Sequence, residues 1–173
     1  MESDNFIDVF DRSLLMTAKR DHRYDNSIFQ EVRYLPPRTK GSFFEKITRD
    51  ILTRLGHQVD KATSTDHDMI VNQHKWEVKG STLKMNSDEF SFLQIRPKQD
   101  YDAMIFVMAY PDQLKIVEMS KSTILANIDQ GHFRAQHGGK KADSGTFTYY
   151  GNYESLLAIG GRAMTHTVND PVQ

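Results

Sequence analysis

Residues 66–81, DHDMIVNQHKWEVKGS, decide how this chain is read. An apolar run (Met69, Ile70, Val71) is followed by a polar turn around Asn72 to His74 and an alternating run from Lys75 to Ser81. The pattern predicts two strands joined as a hairpin. Successive side chains on a strand point to opposite faces. Trp76 and Val78 therefore share one face, and Glu77 and Lys79 share the other with Lys75. Asp68 opens the first strand, so the hairpin brings it towards the end of the second. Either three charged groups converge at one sheet edge, or they form the outer face of an ordinary hairpin.

Working outward, the segment before the hairpin is amphipathic. Phe43, Phe44, Ile47, Ile51, Leu52 and Leu55 recur on one helical face, which predicts a helix over Ser42 to Leu55 stopped by Gly56. HQVDKATS reads as a first strand. DAMIFVMAY, a continuous apolar run, is the central buried strand, and QLKIVEM is its neighbour beyond a Pro111–Asp112 turn. Ser122 to Ile128 reads as a short helix, QGHFRAQHGGKKADSG as a polar loop, TFTYYG as a late strand, and Asn152 to Ile159 as a last helix. The tail after Arg162 reads as loose. Upstream, Phe6 to Lys19 has helical spacing, KRDHRYDN reads as a loop, and Pro36 and Pro37 break the pattern again. The expectation is a single α/β domain over 1–173, with a central mixed β-sheet of about five strands flanked by helices. Within it, 1–40 is a helical dimerisation or DNA-contact region, 41–120 the core, and 121–173 a C-terminal part with a contact loop.

Composition limits the classes. The chain has 173 residues, 38% apolar and 26% charged, with net charge −1. That suits a soluble globular domain. No stretch approaches the roughly 18 apolar residues of a membrane span, and MESDNF lacks the basic start of a secretory signal. With no cysteine there are no disulfides and no thiolate ligands; a cytoplasmic protein is expected. The basic residues are localised rather than spread. Lys75, Lys79, Lys84, Arg96 and Lys98 fall in one region, and Arg134, His137, Lys140 and Lys141 in another. A basic groove on a nearly neutral protein fits this distribution.

The residue types at the hairpin suit metal-assisted hydrolysis. Two carboxylates can hold Mg²⁺, a hard cation that keeps several waters. The metal lowers the pKa of a bound water and neutralises a phosphodiester in the transition state. A lysine beside it positions the water or stabilises developing charge. The carbonyl of Val78, between Glu77 and Lys79, is a further oxygen donor.

The sequence D-(x)8-E-V-K on a hairpin, after an amphipathic helix containing Glu45, resembles the PD-(D/E)XK nuclease superfamily over roughly Gly41 to Met119. The resemblance implies a restriction-endonuclease-like fold and a Mg²⁺-dependent endonuclease of the type II restriction class, with Mn²⁺ able to substitute. It implies metal binding by Asp68, Glu77 and the Val78 carbonyl, support from Glu45, and water activation by Lys79. It also implies double-stranded DNA as substrate and a homodimer, for which the first helix is a candidate element. The chain departs from the pattern at its proline, where His67 precedes Asp68, and Asp66 competes with Asp68 for the first acidic role.

DNA contacts are assigned to Lys84, Gln94, Arg96, Lys98 and Arg134, and to His137, Lys140 and Lys141 around Gly138 and Gly139; each also reads as an ordinary surface residue. The seven histidines form no zinc-ligand spacing. Other functions open to the chain are a repair or recombination nuclease of the same fold, a non-catalytic DNA-binding protein, and an interaction domain whose hairpin is only structural.

Overall fold

The computed structural model describes residues 20–136 and 145–164. A 3-10 turn over His22–Tyr24 and a short helix α1 (Gln30–Tyr34) lead to the long helix α2 (Pro37–Arg54). Pro37 occupies the first helical position, where its missing N–H costs nothing. The second proline therefore starts the helix, ahead of the expected Ser42. Phe44, Thr48 and Leu52, at i, i+4 spacing, form its buried stripe. Gly56, at φ +85°, ends it as expected.

Three antiparallel strands follow: β1 (Val59–Lys61), β2 (Met69–Val71) and β3 (His74–Thr82). The β2–β3 turn has positive φ at both central residues, Asn72 at 47° and Gln73 at 72°. This turn class twists in the sense of the strands it joins and so fixes their register. Then come β4 (Phe90–Ile95), β5 (Ala103–Ala109), β6 (Leu114–Ser120), α3 (Lys121–Asp129), β7 (Arg134–Ala135), β8 (Phe147–Gly151), α4 (Tyr153–Ala158) and β9 (Arg162–Ala163).

The strands make two sheets. The main sheet has six strands in the order β1-β2-β3-β5-β6-β9, and the second has three in the order β4-β8-β7. Within the main sheet only the β3–β5 pair is parallel, and the chain between those strands carries β4 out into the second sheet. Every residue of β5 is buried, as its unbroken apolar run predicts. Among the described residues, no helix is long and apolar enough to cross a membrane.

Helix α2 lies over one face of the main sheet. Gly80 permits this, because a Cβ there would fall inside the Phe44 ring. The opposite face is covered as well. Phe106, level with Lys79, meets Phe92 of β4 and Phe133, and Phe133 meets Tyr149 of β8. Burying a phenylalanine stabilises by about 1.5–3 kcal/mol, so this aromatic group holds the two sheets together.

Several expectations change. The stretch EFSFLQI is a strand. The polar loop contains β7. The segment after α4 pairs as β9 with β6, which gives the main sheet six strands rather than about five. KRDHRYDN contains the 3-10 turn, and α1 was not expected. The helix proposed over Phe6 to Lys19 and the loop residues His137, Lys140 and Lys141 lie outside the described residues.

Candidate active site

The hairpin opens where its charged residues meet. The register pairs Met69 with Trp76, yet the Asp68 N–H also donates to the Trp76 carbonyl at 2.9 Å. Two residues of one strand thus oppose one of the other, which is a bulge. Beyond it the strands part, and a side chain continues the ladder: the Val78 N–H donates to Asp68 Oδ2 at 2.7 Å. N–H and C=O of one strand residue point to the same side, so the Val78 carbonyl faces this opening too.

Glu77 and Lys79 point together, as alternation requires, and Lys79 Nζ donates to Glu77 Oε1 at 2.7 Å. The face they share is not solvent. Glu77 is 7% exposed, as buried as Trp76 and Val78 at 8% and 7%. Burial pushes the Glu77 carboxyl up to about 7; the Lys79 ammonium pulls it down, and the Asp68 carboxylate pushes it up again. Desolvation wins despite a short ion pair, because a carboxylate in an apolar setting loses more hydration than one ammonium returns. Glu45, on α2, is half-buried. Its pKa is raised first by burial and next by the Asp68 charge, against Lys79 and Arg49. Asp68 and Lys79 thus act on both glutamates.

Arg49 and Tyr101, which are not among the expected site residues, and His67, which precedes Asp68, also lie around the group. Arg49, one helical turn beyond Glu45, donates to the carbonyls of Asp60 at 3.1 Å and Asp68 at 3.4 Å, tying α2 to β1 and to the bulge. The i, i+4 spacing of Glu45 and Arg49 was the signal available in the sequence. His67 is 3% exposed, and its ring nitrogens meet Thr63, Ser64 and the Asp100 carbonyl, so it braces the loop before Asp68. Tyr101 is buried, with a hydroxyl that has no partner among the described residues; burial and then the Glu77 charge push its pKa up to about 12. Asp66 stays outside the group, its N–H on Ser64 Oγ.

The proposed DNA contacts divide. Gln94, Arg96 and Arg134 gather on the second sheet: the Gln94 N–H donates to Gln136 Oε1, Arg96 reaches Gln94 Oε1, and Arg134 lies level with Thr148. The Lys98 stem runs close to Gly145. Lys84 lies apart from them, at the turn into β4, paired with Glu89 at 3.0 Å and 4.9 Å from the Tyr150 ring centre. Among the described residues, no three carboxylate or imidazole groups already converge at metal-ligand spacing.

No family model matches the sequence, and no curated protein matches it. Among solved structures, a bacterial homing endonuclease is similar with a TM-score of 0.47 and 11% identity, over 68% of this chain and 76% of that one.

Proposed function

We propose that this protein is a Mg²⁺-dependent endonuclease of the PD-(D/E)XK kind acting on double-stranded DNA, with Asp68, Glu77 and Lys79 at its catalytic centre. One observation carries the reading: at the bulge, two carboxylates, a lysine and the edge of Val78 meet in a partly dry opening. The donor set suits a hard divalent cation. Mg²⁺ needs only one or two carboxylates besides waters and other oxygens, so Asp68, Glu77 and the Val78 carbonyl suffice, with Glu45 in support. The Asp68 charge helps hold the Glu77 carboxyl near pH 7, a repulsion that a bound cation relieves.

The cation, Mg²⁺ or Mn²⁺, would supply a water of lowered pKa and neutralise charge on the phosphodiester. The protein's own groups do the rest. Asp68 is fixed by the Val78 N–H and lies within hydrogen-bond reach of Glu77, so its carboxylate is oriented toward Glu77. Lys79, drawn to Glu77 before substrate arrives, is placed to meet charge developing on phosphorus. Arg49 ties the bulge to α2 through the Asp68 carbonyl, and Glu45 adds a carboxylate on the same helix. The type II restriction role is the specific form we propose, with each of two protomers cutting one strand of a two-fold site.

Plasmid DNA with Mg²⁺ tests this. Wild-type protein should give discrete linear fragments. Glu77→Gln should abolish them, and Lys79→Ala should slow cutting by about 10²–10³-fold, while both variants keep DNA binding in Ca²⁺. Activity that survives both substitutions, or no cutting of duplex, nicked or branched DNA by the wild type, would overturn the reading.

A further inference from the structure

The second sheet carries a feature that the metal chemistry leaves unused. On β4, Phe92 and Ile95 are both fully buried, although alternation would place them on opposite faces. The register explains it. Phe92 pairs with Tyr149 and Ile95 with Phe147, so Leu93 and Gln94 together oppose Thr148. This second bulge turns both residues outward, and both are exposed. Gln94 sits at φ +56°, a left-handed conformation uncommon for a side chain of its size. The strain is held by Gln136, whose Oε1 accepts the Gln94 N–H at 2.9 Å.

The same outward face is basic and aromatic. Arg134 lies level with Thr148, and Tyr150 is 47% exposed. Arg96 extends back to Gln94 Oε1 at 3.4 Å. Among the described residues, neither Arg96 nor Arg134 makes an ion pair.

The path of β4 joins this face to the carboxylates. Phe90 bridges to Leu83, the Ser91 N–H donates to Ser81 Oγ, and the Phe92 ring meets Phe106, which is level with Lys79. The Asp100 carboxylate then binds Lys75. The chain thus descends past Ser81 and Phe106 to Lys75, so Leu93 to Lys98 lie between tie points on either side of Glu77 along β3.

We propose that this bulged face enters a groove of duplex DNA, with Arg96 and Arg134 on phosphates and Gln94 on a base edge. A β-ribbon fits the major groove, phosphate contacts set its position, and the bulge supplies an exposed polar side chain, Gln94, beside the two arginines. The inference rests on the nuclease reading and names where that enzyme holds its substrate.

Fluorescence anisotropy with a duplex oligonucleotide in Ca²⁺, over a range of salt, tests the phosphate contacts. Arg96→Ala/Arg134→Ala should lower the slope of log affinity against log salt by roughly two. Gln94→Gly removes the side chain yet suits positive φ, so it should fold, keep the salt slope, and broaden the set of sequences cut in Mg²⁺. A wild type that cuts DNA while the double variant keeps its slope and affinity overturns this inference alone; so does unchanged cutting selectivity in Gln94→Gly for the base contact. A wild type that binds DNA, loses slope in the double variant, but never cuts overturns the nuclease reading and leaves the surface standing. A wild type that binds no duplex overturns both.

Discussion

Glu77 concentrates the tension of the site in one carboxyl group. Without metal, the folded protein holds its proton to about pH 7, whereas the ordinary value is 4.5. Between those values the native state binds more protons than the unfolded chain, so stability falls as pH rises through the window. A shift of this size corresponds to about 3 kcal/mol. Glu77→Gln keeps the shape and an acceptor for Lys79 but cannot ionise. In EDTA it should match wild type near pH 4.5 and exceed it by about 2 kcal/mol at pH 8, allowing for the lost ion pair. Urea denaturation at the two pH values reads this directly, and a gap that does not change with pH would refute it. The gain in stability comes with the loss of cutting, which separates a functional carboxylate from a structural one.

Elements show why some of this was legible in the sequence and some was not. The long helix, the turn, β3 and β5 are strongly periodic or strongly apolar, and each falls within a few residues of its predicted place. Glu77 and Lys79 follow from alternation alone. Asp68 is preferred to Asp66 in the sequence because it abuts the apolar run Met69 to Val71, while the bulge at that point breaks the period and shows only in the register. The strand β4 was missed for the same reason: its second bulge spaces Phe92 and Ile95 out of phase. Strands β7 and β9, two residues each, have no periodicity to read. Gly80 is the point where β3 and α2 depend on each other. Gly80→Ala places a methyl group in the Phe44 ring, and overpacking of this kind costs about 1–3 kcal/mol. Because Glu45 adjoins Phe44, the same change should also displace the helix carboxylate and lower cutting below the loss seen for a distant destabilising variant. Replacing Phe44 by Leu in the same chain should recover part of the stability. Thermal melting and a cleavage assay well below the transition measure the two effects separately.

At the scale of the whole molecule, a segment distant in sequence closes the far end of the sheet. Asp21 is 3% exposed, binds Arg23 at 2.8 and 2.9 Å, and lies 3.5 Å from Arg33. Arg23 in turn donates to the carbonyls of Lys84 and Ser87, and the Tyr24 hydroxyl links the Ala109 carbonyl to the Leu83 N–H. One short segment thus fastens the ends of β3 and β5 and the turn into β4. The Arg23 hydrogen bond holds the Asp21 carboxyl below its ordinary value of 3.8, so its contribution is present above that pH and is lost as pH falls through the lowered value. Asp21→Ala leaves Arg33 without its carboxylate and Arg23 with only the exposed Asp88 at 3.9 Å. Breaking a buried pair costs about 3–5 kcal/mol. Arg23 keeps a third of its side-chain surface in water, so on the order of 2–3 kcal/mol is expected here, the remainder being screened. The loss should show as a lower urea midpoint at pH 7, begin to shrink as pH falls below 3.8, and shrink further through the lowered value, where folded wild type gives up the same charge. Cutting should persist under conditions where the variant is still folded, since Leu83, just past β3, and Ala109, the last residue of β5, lie away from the carboxylates. A variant that melts normally would mean the segment rests on the sheet without fastening it; one that folds normally but cannot cut would mean that the two ends of β3 are coupled.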